Sequence, residues 1–478
     1  MLLKYPNYKD SGVEWIGEIP EGWEVRKLKY VASVKYGLGQ PPKEKSDGLP
    51  IIRATNVYRG KIDINNLVFV DPDDVPYERD PILRENDIIV VRSGAYTADS
   101  AIIPKEFDGA IAGYDMVVRC ESVKSKFISY CLLSDYVLKK QLLLHSLRAA
   151  QPHLNREELS ETIFALPTIP EQTDIASFLQ CKTAELDQLI SNKEKLITLY
   201  EEEKTAIINR AVTKGLDPQE MLSCPSSSIG HSALESGFPI TPSGMTSTTT
   251  KLKPSGVEWL GDIPELWRVT RLKYLISRLE SGVSVNATDY PASGEEFGIL
   301  KTSCVYNYDF NPNENKAIWP DELNRAKVSP LKGSIIISRM NTPDLVGASG
   351  YVEKDYLTLF LPDRLWQTVF WQDVDIDAKW LSYVLKSSRF RELLSVTATG
   401  TSPSMKNLGQ EEFLDICMPF MDMAEQSAIV AHIETECSRL NTIINKFEKQ
   451  IDLFKEYRTT LISEVVTGKI DVRGEVAV

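Results

Sequence analysis

The chain has 478 residues, 42% hydrophobic and 25% charged, a composition that excludes wholesale disorder and a length that suggests about two to four domains. No apolar run approaches the ~18 residues of a membrane span. The start, MLLKYPNYKDSG, lacks a signal peptide's apolar stretch, and the seven cysteines form no Cys-x-x-Cys pair, so a reduced, cytoplasmic setting is expected. The formal charge of −13 argues against nonspecific nucleic-acid binding by the bulk surface, although DNA responds to local clusters of Lys and Arg rather than to the sum.

In chain order the first signal is Ser11-Gly12-Val13-Glu14-Trp15, followed by Ile19-Pro20-Glu21, Trp23 and Leu28-Lys29-Tyr30. All of it returns 244 residues later, from Ser255-Gly256-Val257-Glu258-Trp259 to Leu272-Lys273-Tyr274, and fourteen of the twenty positions in 11–30 and 255–274 are identical. The repeated Trp15, Trp23, Trp259 and Trp267, set beside prolines, suggest packing rather than base stacking. A period near 250 residues is too long for a solenoid and indicates duplication of a whole unit.

After the opener comes a stretch that reads as mixed α/β. Leu49–Val57, Asn66–Val70, Asp87–Arg92 and Met116–Arg119 have the Val/Ile content of short strands, and Phe127–Leu147 reads as one helix. The loops carry base-reading chemistry: Arg forks onto guanine, Asn and Gln pair with the adenine edge, and Ser or Thr serve either base or phosphate. Candidate DNA contacts are Arg53, Thr55, Asn56, Tyr58, Arg59, Arg92, Ser93, Tyr96 and Thr97, with Gln151, His153 and Asn155 in a further loop.

Glu171-Gln172 then opens a charged helical pattern. Leu186, Ile190, Ile197, Tyr200 and Ile207 lie on its heptad seam with Lys193 and Lys204, and 174–213 would form a rod of about 60 Å. Residues 223–250 hold eight Ser, five Thr, three Pro and three Gly, the composition of a flexible linker.

The second copy repeats the order. Gly298–Val305, Gly333–Arg339 and Thr368–Trp371 read as strands and Ala378–Leu394 as a helix. Arg339 faces Arg92 and Lys301 faces Arg53, so the apolar skeleton matches while the loop residues differ. Candidate contacts here are Lys301, Thr302, Ser303, Tyr306, Asn307, Arg339, Asn341 and Thr342, then Thr401, Ser402, Lys406 and Asn407. Glu425-Gln426 opens the second long helix, with Leu440, Ile444, Phe447, Ile451, Phe454, Leu461 and Val465 on its seam around Arg458. A lone helix with such a stripe requires a partner, and the other copy is the nearest. Antiparallel pairing separates the seam cations Lys204 and Arg458, which a parallel pair would oppose. The expected class is α+β, with divisions at 1–165, 166–220, 221–252, 253–417 and 418–478.

Catalytic signatures are missing. There is no phosphate loop, no Asn- or Asp-Pro-Pro-aromatic run of an amino-methyltransferase, no Gly-x-Gly-x-x-Gly after a strand and no histidine pair at ligand spacing. A chain without catalytic or metal-binding residues is expected. A methyltransferase in its own right, and a coiled-coil interaction scaffold without DNA readout, are the alternatives.

Two variable segments, two repeated helices, the S-G-V-E-W-x-G-x-I-P-x-x-W opener and Pro167–Gln172, echoed with two extra residues in Pro419–Gln426, resemble the specificity subunit of a Type I restriction-modification system. That resemblance implies two target recognition domains that each read half of a bipartite, asymmetric double-stranded DNA site. It also implies two antiparallel helices that set the unread gap and dock two modification (M) and two restriction (R) subunits. S-adenosylmethionine, ATP and Mg would sit on those partners and no cofactor on this chain.

Overall fold

The computed structural model describes residues 3–146, 152–216, 251–402 and 405–474; the segment read as a linker and Gln151 lie outside them. Strands and helices are mixed throughout, and the chain divides into two compact units, Met1–Lys195 with Phe447–Val478, and Leu196–Lys446. Among the described residues no helix is long and apolar enough to cross a membrane.

Two helices dominate, Ile169–Lys214 and Met423–Val466. The only proline in either, Pro170, falls in the first turn, where its missing N–H breaks no helical bond. Leu186, Leu440, Ile444, Ile451, Leu461 and Val465 are buried, and Ile190, Ile197, Tyr200, Ile207, Phe447 and Phe454 are half-buried. Leu189, Leu196, Leu199 and Leu453, off the seam, are exposed. Within the first unit Lys193 Nζ donates to Gln450 Oε1 at 2.6 Å and Arg458 Nε lies 3.5 Å from Asp187 Oδ1, so the two helical segments run antiparallel there. Within the second unit Arg439 meets Glu203 at 4.0 Å, and Gly215, just past the end of the first helix, packs near Glu425 at the start of the second, which is the same sense.

Each unit holds a four-stranded antiparallel sheet. In the first the order is Ser100–Ile102, Ile88–Val90, Met116–Cys120, Ala32–Tyr36; in the second it is Ser349–Tyr351, Ile335–Ser338, Leu365–Phe370, Ile276–Ser281. A smaller three-stranded sheet accompanies each, built around Glu44–Ile52 and Gly298–Leu300. The apolar runs predict these strands because Ile88, Ile89, Val90 and Ile335, Ile336, Ile337 have no exposed side chain, the pattern of strands covered on both faces.

Four sequence expectations are corrected. The strand expected over Leu49–Val57 ends at Ile52 and is followed by a 3-10 turn, Ala54–Asn56; that over Gly298–Val305 ends at Leu300 before a turn at Thr302–Val305. The helix expected over Phe127–Leu147 breaks after Leu133, and that over Ala378–Leu394 breaks after Lys386 before resuming as Ser388–Thr397. Both breaks fall on a serine in extended conformation, Ser134 (ψ 147°) and Ser387 (ψ 142°). Each Oγ donates to the carbonyl three residues back, Cys131 and Val384, which competes with the helical bond.

The repeated opener and the repeated Glu-Gln fit together in each unit. Trp23 Nε1 donates to Glu171 Oε1 (3.2 Å) and Trp267 Nε1 to Glu425 Oε1 (2.8 Å); both indoles are 1% exposed. The adjacent Gln172 Oε1 accepts from the N–H of Lys124 and Gln426 Oε1 from that of Asp377, the residues capping helices Ser125–Leu133 and Ala378–Lys386. The glutamate thus ties the opener to the long helix, and the glutamine ties the variable segment's helix to it. Opposite, Gly468 (φ +72°) and Gly215 (φ +71°) bring the ends of the long helices against Trp23 and Trp267. Trp15 stacks on Tyr136, and Trp259 donates to the Cys417 carbonyl, so all four repeated tryptophans are packing residues. In the first unit the N-terminus closes on the end of the second helix: Leu3 bridges Asp471, and Tyr8 Oη donates to the Gly468 carbonyl.

Candidate nucleic-acid interface

At one end of the first sheet three chain-distant loops converge. The Leu154 N–H donates to the Arg92 carbonyl at 2.8 Å, Ser93 bridges His153, and the Gly113 N–H donates to the Ile52 carbonyl at 2.9 Å. The second unit repeats the construction: the Leu408 N–H donates to the Arg339 carbonyl, also at 2.8 Å, and Met340–Asn341 pairs with Lys406–Asn407. A sheet end that gathers three loops is a rigid support for mobile contact residues.

Burial and bonding divide the candidates. In the first unit Thr55, Tyr58, Arg59, Tyr96 and His153 are exposed, and Arg53, Arg92 and Ser93 half-buried. Arg59 lies over the Tyr58 ring at 5.7 Å, and Arg53 Nη2 donates to the Asn66 carbonyl. Asn56, Thr97 and Asn155 bond within the protein. Asn56, fully buried, accepts from the Arg53 N–H and donates to the Asp63 carbonyl. Thr97 Oγ1 donates to the Gly94 and Pro152 carbonyls, and Asn155 caps helix Arg156–Ser160 in a capping box with Glu158.

In the second unit Asn307 and Thr342 are exposed, while Lys301, Thr302, Ser303, Tyr306, Arg339, Lys406 and Asn407 are half-buried. Asn341 is buried; its Nδ2 donates to Tyr306 Oη (3.1 Å) and Ser338 Oγ, and its Oδ1 accepts from the Thr342 N–H. Tyr306 Oη is also 2.9 Å from Thr302 Oγ1. Ser303 Oγ donates to Glu314 Oε2 at 2.5 Å, with Lys301 3.4 Å from the same oxygen. Lys406 Nζ reaches the Ala398 carbonyl at 3.4 Å. Thr401 and Ser402 fall in strand Thr399–Ser402. The first loop cluster therefore presents cations held against aromatic rings, and the second a bonded polar network.

Three residues of the first cluster escape sequence reading: Tyr36, Tyr114 and Asp115. The Arg92 guanidinium lies 4.5 Å from the Tyr36 ring and 4.3 Å from the Tyr114 ring. Asp115, 2% exposed, accepts the Arg92 N–H on Oδ1, and burial pushes its carboxyl up to about 6. These residues come from separate strand ends, so no local motif announces them; the pairing of Tyr36 with Met116 and of Met116 with Val90 brings them together. Among the described residues no cluster of His, Cys, Asp and Glu is arranged to hold a metal ion.

Residues 20–199 match the family described as Type I restriction modification DNA specificity domain. Over 470 residues the chain is 23% identical to the EcoKI specificity subunit of Escherichia coli K12, covering 95% of this chain and 90% of that one. It is 24% identical over 494 residues to the putative MjaX specificity subunit of Methanocaldococcus jannaschii, covering 99% of both. The match to the EcoEI specificity subunit of Escherichia coli is 24% identical and spans about half of that protein, 49%. A chain in a solved structure concerned with complex assembly of the type I R-M system shares the fold, with a TM-score of 0.59 at 16% identity over 95% of this chain and 99% of that one. Duplicated opener, paired Glu-Gln helices and near full-length relatives agree: over nearly its whole length the chain is similar to Type I restriction-modification specificity subunits.

Proposed function

We propose that this chain is the sequence-reading subunit of a Type I restriction-modification complex, reading a bipartite, asymmetric site in double-stranded DNA with one loop cluster per half-site. One observation carries the reading. The same framework of Trp on Glu, Gln on a helix cap and three loops at a sheet end recurs in both units, while the loop side chains differ. Unlike readers in one chain suit a split, non-palindromic target, whereas a homodimer imposes a palindrome.

Seen this way, the paired long helices act as the spacer. One heptad is roughly 10 Å, about three base pairs, so helix length sets the unread gap. They also offer the dock for M and R subunits, which bring S-adenosylmethionine, ATP and Mg. The chain performs no chemistry and works in the cytoplasm. Its acidic surface fits a reader whose partners supply much of the phosphate-binding charge, so affinity for DNA rises when M is added.

Replacing residues 30–165 with another variable segment and mapping methylation by the assembled complex tests the reading. One half of the methylated sequence changes and the other stays. An unchanged motif, or loss of both halves with the complex intact, refutes it and favours an interaction scaffold.

A further inference from the structure

We propose that Arg92, held against the rings of Tyr36 and Tyr114, reads a guanine in the half-site recognised by the first unit. This rests on the DNA-reading function above and names the base and residue at that site.

The guanidinium carbon lies over both rings, 4.5 Å from the Tyr36 centroid and 4.3 Å from that of Tyr114, within the range of cation–π contact. This arrangement is itself fixed. Tyr36 Oη accepts the Arg156 N–H at 2.9 Å, and the backbone of Arg92 is pinned on both sides, its N–H by Asp115 Oδ1 and its carbonyl by the Leu154 N–H. Nη2 donates to His153 Nε2 at 3.4 Å, while Nε is buried with no hydrogen-bond partner. With Nε buried, the terminal nitrogens are the donor fork left to meet a ligand, and such a fork of two donors matches the adjacent O6 and N7 acceptors of guanine. Beside the rings opens a cavity of about 240 Å³ lined by Arg53, Thr55, Ser93, Tyr114 and Asp115.

Phosphate is the rival acceptor, and Asp115 weighs against it. A buried carboxyl next to Arg92 repels a phosphate monoanion but tolerates a neutral base. Strand register also confines this arrangement to one unit. Tyr36 opposes Met116, which opposes Val90; in the second unit Ser281 opposes Trp366, which opposes Ile337. Ser281, Arg364 and Leu365 thus stand where the first unit has Tyr36, Tyr114 and Asp115, around the matching Arg339. The two units carry different readers on one scaffold.

The test uses the full chain assembled with its methyltransferase partner and duplexes carrying the genomically methylated motif. Each guanine is replaced in turn by 7-deazaguanine, which lacks N7. At one guanine of the first half-site, wild type loses about 5- to 150-fold in affinity. Arg92→Lys, which keeps the charge but loses the fork, and Arg92→Ala no longer distinguish the two bases there. Tyr114→Ala, which leaves the arginine in place, weakens the distinction.

An equal loss on all duplexes with an unchanged 7-deazaguanine penalty would mark Arg92 as a phosphate or structural residue and overturn the assignment, as would a first half-site without a G·C pair. If wild type itself showed no preference for the motif, the DNA-reading function would fail, a result distinguishable from failure of the Arg92 assignment alone.

Discussion

Gln426→Ala is the sharpest probe of the framework that carries both units. Gln426 is fully buried. Its Oε1 accepts the Asp377 N–H at 2.8 Å, and its Nε2 donates to the carbonyls of Met421 at 3.0 Å and Asp375 at 3.3 Å. Asp377 in turn caps helix Ala378–Lys386, its Oδ1 accepting from the N–H groups of Lys379 and Trp380. Truncation removes three bonds and strands at least one buried donor and one buried acceptor. At about 1–3 kcal/mol per orphaned group, the cost is about 2–6 kcal/mol, concentrated at the helix N-terminus. Native-state hydrogen exchange suits the assay because it reports each unit separately, where a single melting midpoint would blend them. Exchange across 375–386 accelerates, while Ser125–Leu133 in the first unit keeps its protection. Gln180→Ala, which removes only an exposed bond from Lys126, changes nothing measurable. Unaltered exchange at 375–386 in the Gln426→Ala protein would refute the idea that the glutamine ties the recognition segment to the long helix.

Other consequences follow from the same geometry. Leu440→Asp places a charge at a fully buried seam position and lowers thermal stability by several degrees or prevents assembly with M, whereas Leu453→Asp, at a site 61% exposed, leaves both unchanged; equal effects in the two variants contradict the seam. Gly468→Ala is destabilising, because its Cβ at φ +72° would lie 2.4 Å from Pro20 Cδ, while Gly474→Ala, also at positive φ but with nothing within 4 Å, costs about 1 kcal/mol or less; urea titrations of the two rank them. For pH, Asp115 has a folded value near 6 against an ordinary 3.8, so the folded state holds the extra proton. Its contribution is fully present below the unfolded value and is lost as pH rises through the folded one. Wild type therefore loses stability relative to Asp115→Asn between about pH 4 and 6, and parallel pH–stability curves would show that the carboxyl does not titrate there.

Much of this protein is legible in its sequence because it is local or periodic. The duplication, the heptad seam and the Val/Ile strands are recorded in spacing, and spacing translates directly into which face of a helix or strand is buried. Antiparallel pairing follows from the two seam cations, and within the first unit Arg458 lies beside Asp187 rather than another cation. Single residues with context-dependent roles read less well. Ser134 and Ser387 look like ordinary helical serines until their hydroxyls are seen bonding backward. Asn56, Thr97, Asn155 and Asn341 have base-reading chemistry, but their bonding groups are engaged by neighbouring backbone or side chains.

Composition and repeat thus determined the class, the doubling and the long helices, since each is written in residues close together along the chain. Only the tertiary structure decided which loop residues remain free to bond outward, and that Tyr36, Arg92, Tyr114 and Asp115 form one site. Strand pairing sets these neighbours across as many as 79 positions of sequence, and a side chain's availability depends on partners that no local pattern names.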